Sequence, residues 1–459
     1  MSKIKLRKTR KKGIKGGRVI ASGGFGCVFD PPLKCQGKER EKNMVSKLMT
    51  KQHILSEYNE IKEIKEKLEK IPNYKDYFLL DDISICNPDK LVGEDLTDFE
   101  KKCTALPKKN ITKDNINKNL DKLMVLNMPH GGIPIDDYFL NVRNYKQIIH
   151  INNMLINLLK NGIIPMNKEN VYHTDIKESN VLISKHDELR LIDWGVSVLY
   201  IPNTNAKFPS RWKNRSLHFN NPFSLIMFTD DFAEMYSAYL NNKKIKDKKD
   251  EKKLREFVKI YFDYWIKLKG PGHLKYINKI FLQLFINDIR KTPIDKYTLK
   301  DLKLIENKYT INYIIDYIVK ILVKFTHFDE ANPINLRTYL DTVFVKILDI
   351  WGFIVCYFPV LEILFENYKK LSETEMNIYN ILKQIILKYL YEPRIEPINI
   401  DELVADLEGI NDLFGKTNID FSEQIKTFKN TTSKRESNVT GNTDYIKHNK
   451  TRKSRTSLL

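Results

Sequence analysis

Apolar and polar positions change their rhythm along the chain. Arg18 to Phe29 and Asn43 to Met49 read as short strands, the first interrupted by a glycine cluster. From Ile54 the residues Ile54, Tyr58, Ile61, Ile64, Leu68 and Ile71 recur every three or four positions, which predicts one helix face, with Lys and Glu covering the rest. Leu123 to Met128 is apolar apart from Asn127 and predicts a strand, which Pro129-His130-Gly131-Gly132 breaks. Beyond it Ile148 to Leu159 is amphipathic with helical spacing, and much of 225–390 alternates helical periodicity with charged surface. The pattern predicts an α+β chain: a small strand-rich part with one main helix, then a large, mainly helical part, with no internal repeat.

Composition narrows the class. With 459 residues, 42 % of them hydrophobic, the chain is too apolar for a disordered polymer and long enough to bury more than one core. Its net charge of +19 is unevenly placed. Residues 1–18 hold nine Lys/Arg and no acid, and 426–459 hold nine against Glu436 and Asp444, so +16 lies at the two ends and +3 in the body. The segments 1–16 and 426–459 are expected to be disordered basic arms, compatible with weak contact to nucleic acid or an acidic surface. Five scattered cysteines without a CxxC pair suggest neither a disulfide framework nor a zinc site, and favour a reducing compartment. The most apolar stretch, Ile350 to Leu361, is 12 residues long. That is short of the ~20 a membrane span needs, and the basic N-terminus lacks the apolar core of a secretory signal.

Two segments carry candidate chemistry. Ile20-Ala21-Ser22-Gly23-Gly24-Phe25-Gly26-Cys27-Val28 is a glycine-rich turn between strands, where absent side chains let backbone N–H groups approach phosphate oxygens, although a tight hairpin needs the same residues. Val45-Ser46-Lys47 follows about 20 residues later, with a lysine that is either a snorkelling surface residue or a buried cation awaiting phosphate. More specific is His173-Thr174-Asp175-Ile176-Lys177-Glu178-Ser179-Asn180-Val181-Leu182, followed by Leu189-Arg190-Leu191-Ile192-Asp193-Trp194-Gly195. Here carboxylates, a lysine and a carboxamide sit beside short apolar strands, where charge is costly unless it meets a cation or substrate.

In order and spacing these motifs resemble those of protein kinases: the glycine-rich loop, the lysine of the third strand, the catalytic loop and the magnesium-binding triplet. Gly23-Gly24-Phe25-Gly26-Cys27-Val28-Phe29-Asp30-Pro31, Val45-Ser46-Lys47-Leu48, His173-Thr174-Asp175-Ile176-Lys177 and Phe219-Asn220-Asn221-Pro222-Phe223-Ser224 are similar to the serine/threonine kinases of large nucleocytoplasmic DNA viruses of the iridovirus and mimivirus type. The resemblance implies a bilobal kinase fold over 17–425, with an N-lobe at 17–127, a hinge at 127–132, a C-lobe at 133–425 and an inserted helical region at about 229–335. It also implies an intracellular protein of the host cytoplasm or viral factory, one that a virion could carry.

Carried over by position, the backbone of Ile20 to Val28 covers the phosphates of ATP, and Lys47 binds the α- and β-phosphates while paired to a glutamate, with Glu60 the expected partner and Glu57 the alternative. Asp175 takes the proton of the acceptor hydroxyl, Lys177 neutralises the transferring phosphoryl group, and Asn180 and Asp193 hold Mg2+. Lys177 favours Ser/Thr acceptors. Leu126 guards the adenine pocket, and Pro129 falls where a donor to adenine is expected, so Met128 or His130 must supply the N–H unless the alignment slips by one.

The chain departs from the pattern at four places. Ala21 stands at the first glycine, Thr174 at the arginine that grips a phosphorylated activation loop, and no Ala-Pro-Glu follows the triplet. Asp349-Ile350-Trp351-Gly352-Phe353, which resembles the central C-lobe helix, lies 156 residues beyond Asp193. The intervening 229–335 is either an added packing layer or a docking surface. Glu392-Pro393-Arg394 resembles the late arginine whose usual glutamate partner is missing here. Two other readings compete: an ATP-binding pseudokinase scaffold, and a phosphotransferase acting on small molecules or lipids.

Overall fold

The computed structural model describes residues 18–141, 145–204, 206–245, 250–291, 293–294, 296–328 and 334–414. The expected basic arms at 1–16 and 426–459 lie outside the described residues. The chain divides into two compact units, one of residues 1–133, 160–175 and 180–200, the other of 134–159, 176–179 and 201–459. The first unit's continuous stretch ends one residue past the expected hinge at 127–132, and the unit also takes in residues 173–175 and 180–182 and the whole Asp193 triplet.

The first unit is built on an antiparallel sheet of β1 (Arg18–Ser22), β2 (Gly26–Asp30), β3 (Met44–Thr50), β4 (Ser84–Cys86) and β5 (Leu123–Pro129), in the order β1-β2-β3-β5-β4. β1, β2, β3 and β5 fall on the stretches read as strands, whereas β4, three residues long, was not anticipated. The helix α1 (Lys51–Leu68) follows β3 directly. Its buried residues are Ile54, Glu57, Ile61, Ile64 and Leu68, a stripe of alternating three- and four-residue steps. Tyr58, expected on that face, is only half-buried, and Glu57 takes its place.

Strand pairing sorts the sheet residues by face. Val28, Lys47 and Leu126 lie opposite one another in neighbouring strands and share one face; Cys27, Leu48 and Val125 share the other. The second face is covered by a layer drawn from 91–116, whose Leu91, Leu96, Phe99, Leu106, Ile111 and Ile116 pack on Val19, Phe29, Leu48 and Val125. Two disulfides join this region: Cys27–Cys103, and Cys35–Cys86 at the far end. They overturn the expectation of no disulfide framework. Spacing along the chain hides them, because the partners are 76 and 51 residues apart and meet only once the sheet forms.

The same unit contains two short ladders. Val171–Tyr172 pairs with Val198–Leu199, and Val181–Ile183 pairs with Leu189–Leu191, both antiparallel.

The second unit is helical. Its principal helices include Tyr145–Asn157, Asp230–Lys243, Glu251–Lys269, Leu274–Arg290, Ile311–Phe325, Val345–Val355, Phe358–Glu366, Glu373–Ile386 and Ile400–Phe414. Every residue of Val345–Val355 except Lys346 is buried, as befits a helix apolar on all sides. It belongs to a helical run, Leu336–Glu366, that is long and apolar enough to cross a membrane by length and composition, yet its most apolar window lies wholly within the packed unit. The 12-residue stretch read from the sequence underestimates this element. Gly352 is required there, because a Cβ would come within 2.5 Å of the Ile176 carbonyl oxygen. Within 229–335, Glu251–Lys269 buries Leu254, Phe257, Val258, Tyr261, Phe262 and Trp265, and the Tyr261 hydroxyl donates to the Ile226 carbonyl. Through these contacts this helix packs within the helical unit.

Candidate active site

Lys47 is the centre of the site. Strand alternation turns its side chain to the face shared with Val28 and Leu126, and its ammonium is almost fully buried. Nζ lies 2.8 Å from Oε1 of Glu57 and 3.3 Å from Oδ1 of Asp193, joining β3, α1 and the Asp193 triplet, which is 146 residues away in sequence. Burial presses the lysine toward neutrality, but the Asp193 and Glu57 carboxylates outweigh it and hold the ammonium up at about 12. Burial also lifts the Glu57 carboxyl above its ordinary value, with Lys47 pulling the other way. The lysine is a paired, buried cation and not a snorkelling surface residue.

Glu60 is not the partner of this lysine. It accepts a hydrogen bond from the Ser56 hydroxyl on the exposed side of α1, whereas Glu57 lies on the buried stripe. The sequence expectation is corrected to the alternative it kept open. A Cβ added to Gly195 would stand 3.5 Å from Glu57 Oε2, so the triplet packs directly against the pair.

The glycine-rich turn is closed by the Gly23 N–H donating to the Gly26 carbonyl at 2.9 Å. Its glycines have different reasons. Gly24 faces open space and a Cβ on Gly23 would touch only the Gly26 carbonyl oxygen at 4.0 Å, whereas a Cβ on Gly26 would meet Met49 Cγ at 2.1 Å and the Leu48 carbonyl oxygen at 2.5 Å. The close approach at Gly26 is therefore to β3. Phe25, at the tip, lies 4.7 Å from the His53 ring of α1, and Ile20 and Ala21 are exposed. Ser22 Oγ accepts hydrogen bonds from the Thr104 and Ala105 N–H groups, and Cys27 is bonded to Cys103. The Cys27 sulfur thus belongs to the covered face, away from Val28 and Lys47.

The two ladders frame the remaining residues. Asn180 Nδ2 donates to the Asp175 carbonyl at 2.8 Å and to its Oδ2 at 3.0 Å, closing the 175–180 loop on itself. His173, fully buried, accepts the Asp175 N–H at Nδ1 and lies 2.9 Å from the Ile192 carbonyl oxygen through Nε2, which assigns the proton to Nε2. Its ring stands 4.7 Å from Trp194. His173 thus ties the Asp175 loop to the Asp193 triplet, a role that sequence reasoning missed although the residue opens the motif. Thr174 Oγ1 donates to the Val196 carbonyl in the same bridge. Thr174 and Asp193 both adopt left-handed backbone, with φ of 64° and 65°, which is unusual for the β-branched Thr174.

Lys177 lies in the 176–179 segment, which groups with the helical unit; there the Ile176 carbonyl accepts from Asn220 Nδ2. Burial holds the neighbouring Glu178 carboxyl up at about 7. In the same unit Asp349 is buried in Val345–Val355, and Trp351 Nε1 donates to the Phe219 carbonyl at 3.0 Å. Leu126, paired with Lys47 across the sheet, is fully buried, and Met128 is half-buried opposite Val45.

Among the described residues no group of three or more His, Cys, Asp or Glu is arranged as a metal cage. A magnesium ion carried by a phosphate substrate needs fewer protein ligands, because phosphate and water oxygens complete its shell. With Nδ2 of Asn180 turned to Asp175, its Oδ1 is the atom left to offer a cation, and the Asp193 carboxylate is solvent-facing. These hard oxygen donors fit that ion.

No family model and no curated protein matches this chain.

Proposed function

We propose that this chain is a serine/threonine protein kinase of bilobal kinase fold that transfers the γ-phosphoryl group of Mg-ATP to protein hydroxyls. The observation that carries the proposal is the buried Lys47 ammonium paired with both Glu57 and Asp193. In this reading Lys47 holds the α- and β-phosphates, with Glu57 fixing its position. Asp175, oriented by Asn180 and His173, accepts the proton of the acceptor hydroxyl as the new bond to phosphorus forms. Lys177 offsets charge on the transferring group. Asn180 and Asp193 hold the magnesium ion, which neutralises phosphate charge when bound. The viral source and carriage in a virion belong to the same proposal and rest on the motif resemblance alone, as does contact of the basic ends with nucleic acid.

The test is label transfer from γ-labelled ATP with Mg2+ to histone or casein by the full chain. Asp175→Asn is expected to lose at least about a hundredfold in rate, the scale of lost proton transfer. The label is expected on serine and threonine. No transfer, or equal transfer by Asp175→Asn, refutes the proposal; label on tyrosine refutes the acceptor class.

A further inference from the structure

Strand alternation at the end of β5 bears on which nucleotide the site accepts, and the argument rests on the kinase reading above. The His130 N–H donates to the Asn43 carbonyl at 2.8 Å, so it points toward β3. Directions alternate along a strand, and the β3–β5 register is unbroken from Thr50↔Leu123 to Met44↔Pro129. Leu126 and Met128 therefore also direct their N–H groups into β3, while Asn127 and Pro129 face the other edge. Along that edge β4 reaches only as far as Ser84↔Asn127. The next outward-facing residue is Pro129, which presents a carbonyl and no N–H. Gly131 belongs to the following turn, where a Cβ would strike Leu182 and Leu79 at 2.7 and 2.8 Å. The structure thus removes both donors expected from the sequence: the N–H groups of Met128 and His130 are directed into the sheet.

A base docked on this edge meets an acceptor where a donor is ordinarily required. Adenine presents an amino donor beside a ring nitrogen acceptor, and that acceptor goes unrewarded here. Guanine presents a ring N–H and an amino group, both donors suited to a carbonyl. Discrimination between purines by hydrogen bonding depends on a site group left unpaired by the wrong base, and the proline removes that group. We propose that Pro129 relaxes base recognition, so that the enzyme uses GTP as well as ATP. With either nucleotide the bond from the γ-phosphorus to the β–γ bridging oxygen breaks and a bond to the acceptor hydroxyl oxygen forms. The hydroxyl proton passes to Asp175, and the nucleoside diphosphate leaves.

The experiment measures initial rates with γ-labelled ATP and GTP for the full chain, Pro129→Ala and Pro129→Val, alongside calorimetric binding of each nucleotide. For the unaltered chain, kcat/KM values within about tenfold of each other are expected, a gap of one neutral hydrogen bond. Each variant restores an N–H, and is expected to raise kcat/KM for ATP about three- to tenfold through KM while GTP moves by less than about twofold. Two variants of different shape separate the N–H from a packing change. An ATP preference of about a hundredfold or more in the unaltered chain, the scale of strong discrimination, overturns the inference, as does an ATP-to-GTP ratio unchanged in both variants. Transfer from ATP with either result leaves the kinase reading standing; binding of neither nucleotide removes both.

Discussion

Glu57 occupies a position that a hydrophobic pattern assigns to the core, and its charge is tolerated there because Lys47 reaches it across β3. A neutral side chain at 57 would leave the ammonium buried with the half-exposed Asp193 as its remaining carboxylate partner. Glu57→Gln is expected to lower the unfolding free energy by about 1–3 kcal/mol, and Glu60→Gln by less than about 0.5 kcal/mol. Under the proposed function phosphoryl transfer should fall at least about tenfold only in the first, because there the pair positions the lysine that would bind phosphate. Urea unfolding and label transfer on the two variants check this. Lys47 itself gives a pH signature. Its native pKa of about 12 lies above the ordinary 10.5, so the folded chain holds that proton more tightly than the unfolded chain does. The resulting stabilisation is complete below 10.5 and is lost as pH rises through about 12. The stability gap between the unaltered chain and Lys47→Met should narrow across that window, as read by urea unfolding at each pH.

At the scale of elements, the disulfides fasten the 91–116 layer and the β2–β3 connection to a sheet whose other face carries Lys47. They close loops of similar length, so each pair removed, as Cys27→Ser with Cys103→Ser or Cys35→Ser with Cys86→Ser, is expected to cost about 2–4 kcal/mol. Adding a reductant to the unaltered chain should lower stability by the sum of the two. Urea unfolding with and without dithiothreitol measures both. A reduced chain as stable as the oxidised one would show that the layer is held by apolar packing alone. β1, β2, β3, β5 and α1 were legible in the sequence because each is a local apolar pattern bounded by glycine, proline or charge, whereas β4 is too short to carry one. The 87–122 segment was not: it is made of short turns with no period of its own, and its apolar residues find their partners only across the finished sheet. For the same reason Glu57 and Glu60 could not be ranked, since three residues of helix separate a buried face from a solvated one.

For the whole molecule, the motifs around Lys47, Asp175, Asn180 and Asp193 stood out because charged residues interrupt apolar strands. What the sequence could not supply was their wiring, above all the His173 bridge, which depends on a ring reaching the backbone of a segment 19 residues later. The helical run Leu336–Glu366 was likewise underestimated because Asp349 interrupts the apolar stretch, although the folded chain buries that aspartate. Near its middle lies Cys356, the single free cysteine among the described residues, wholly buried and with a thiol whose pKa burial drives far up. The oxidised native protein therefore presents no reactive thiol to an alkylating reagent, and opening of the helical core uncovers one. A single modification per chain, followed by mass, should time that opening directly in unaltered protein, so the molecule carries its own clock for unfolding.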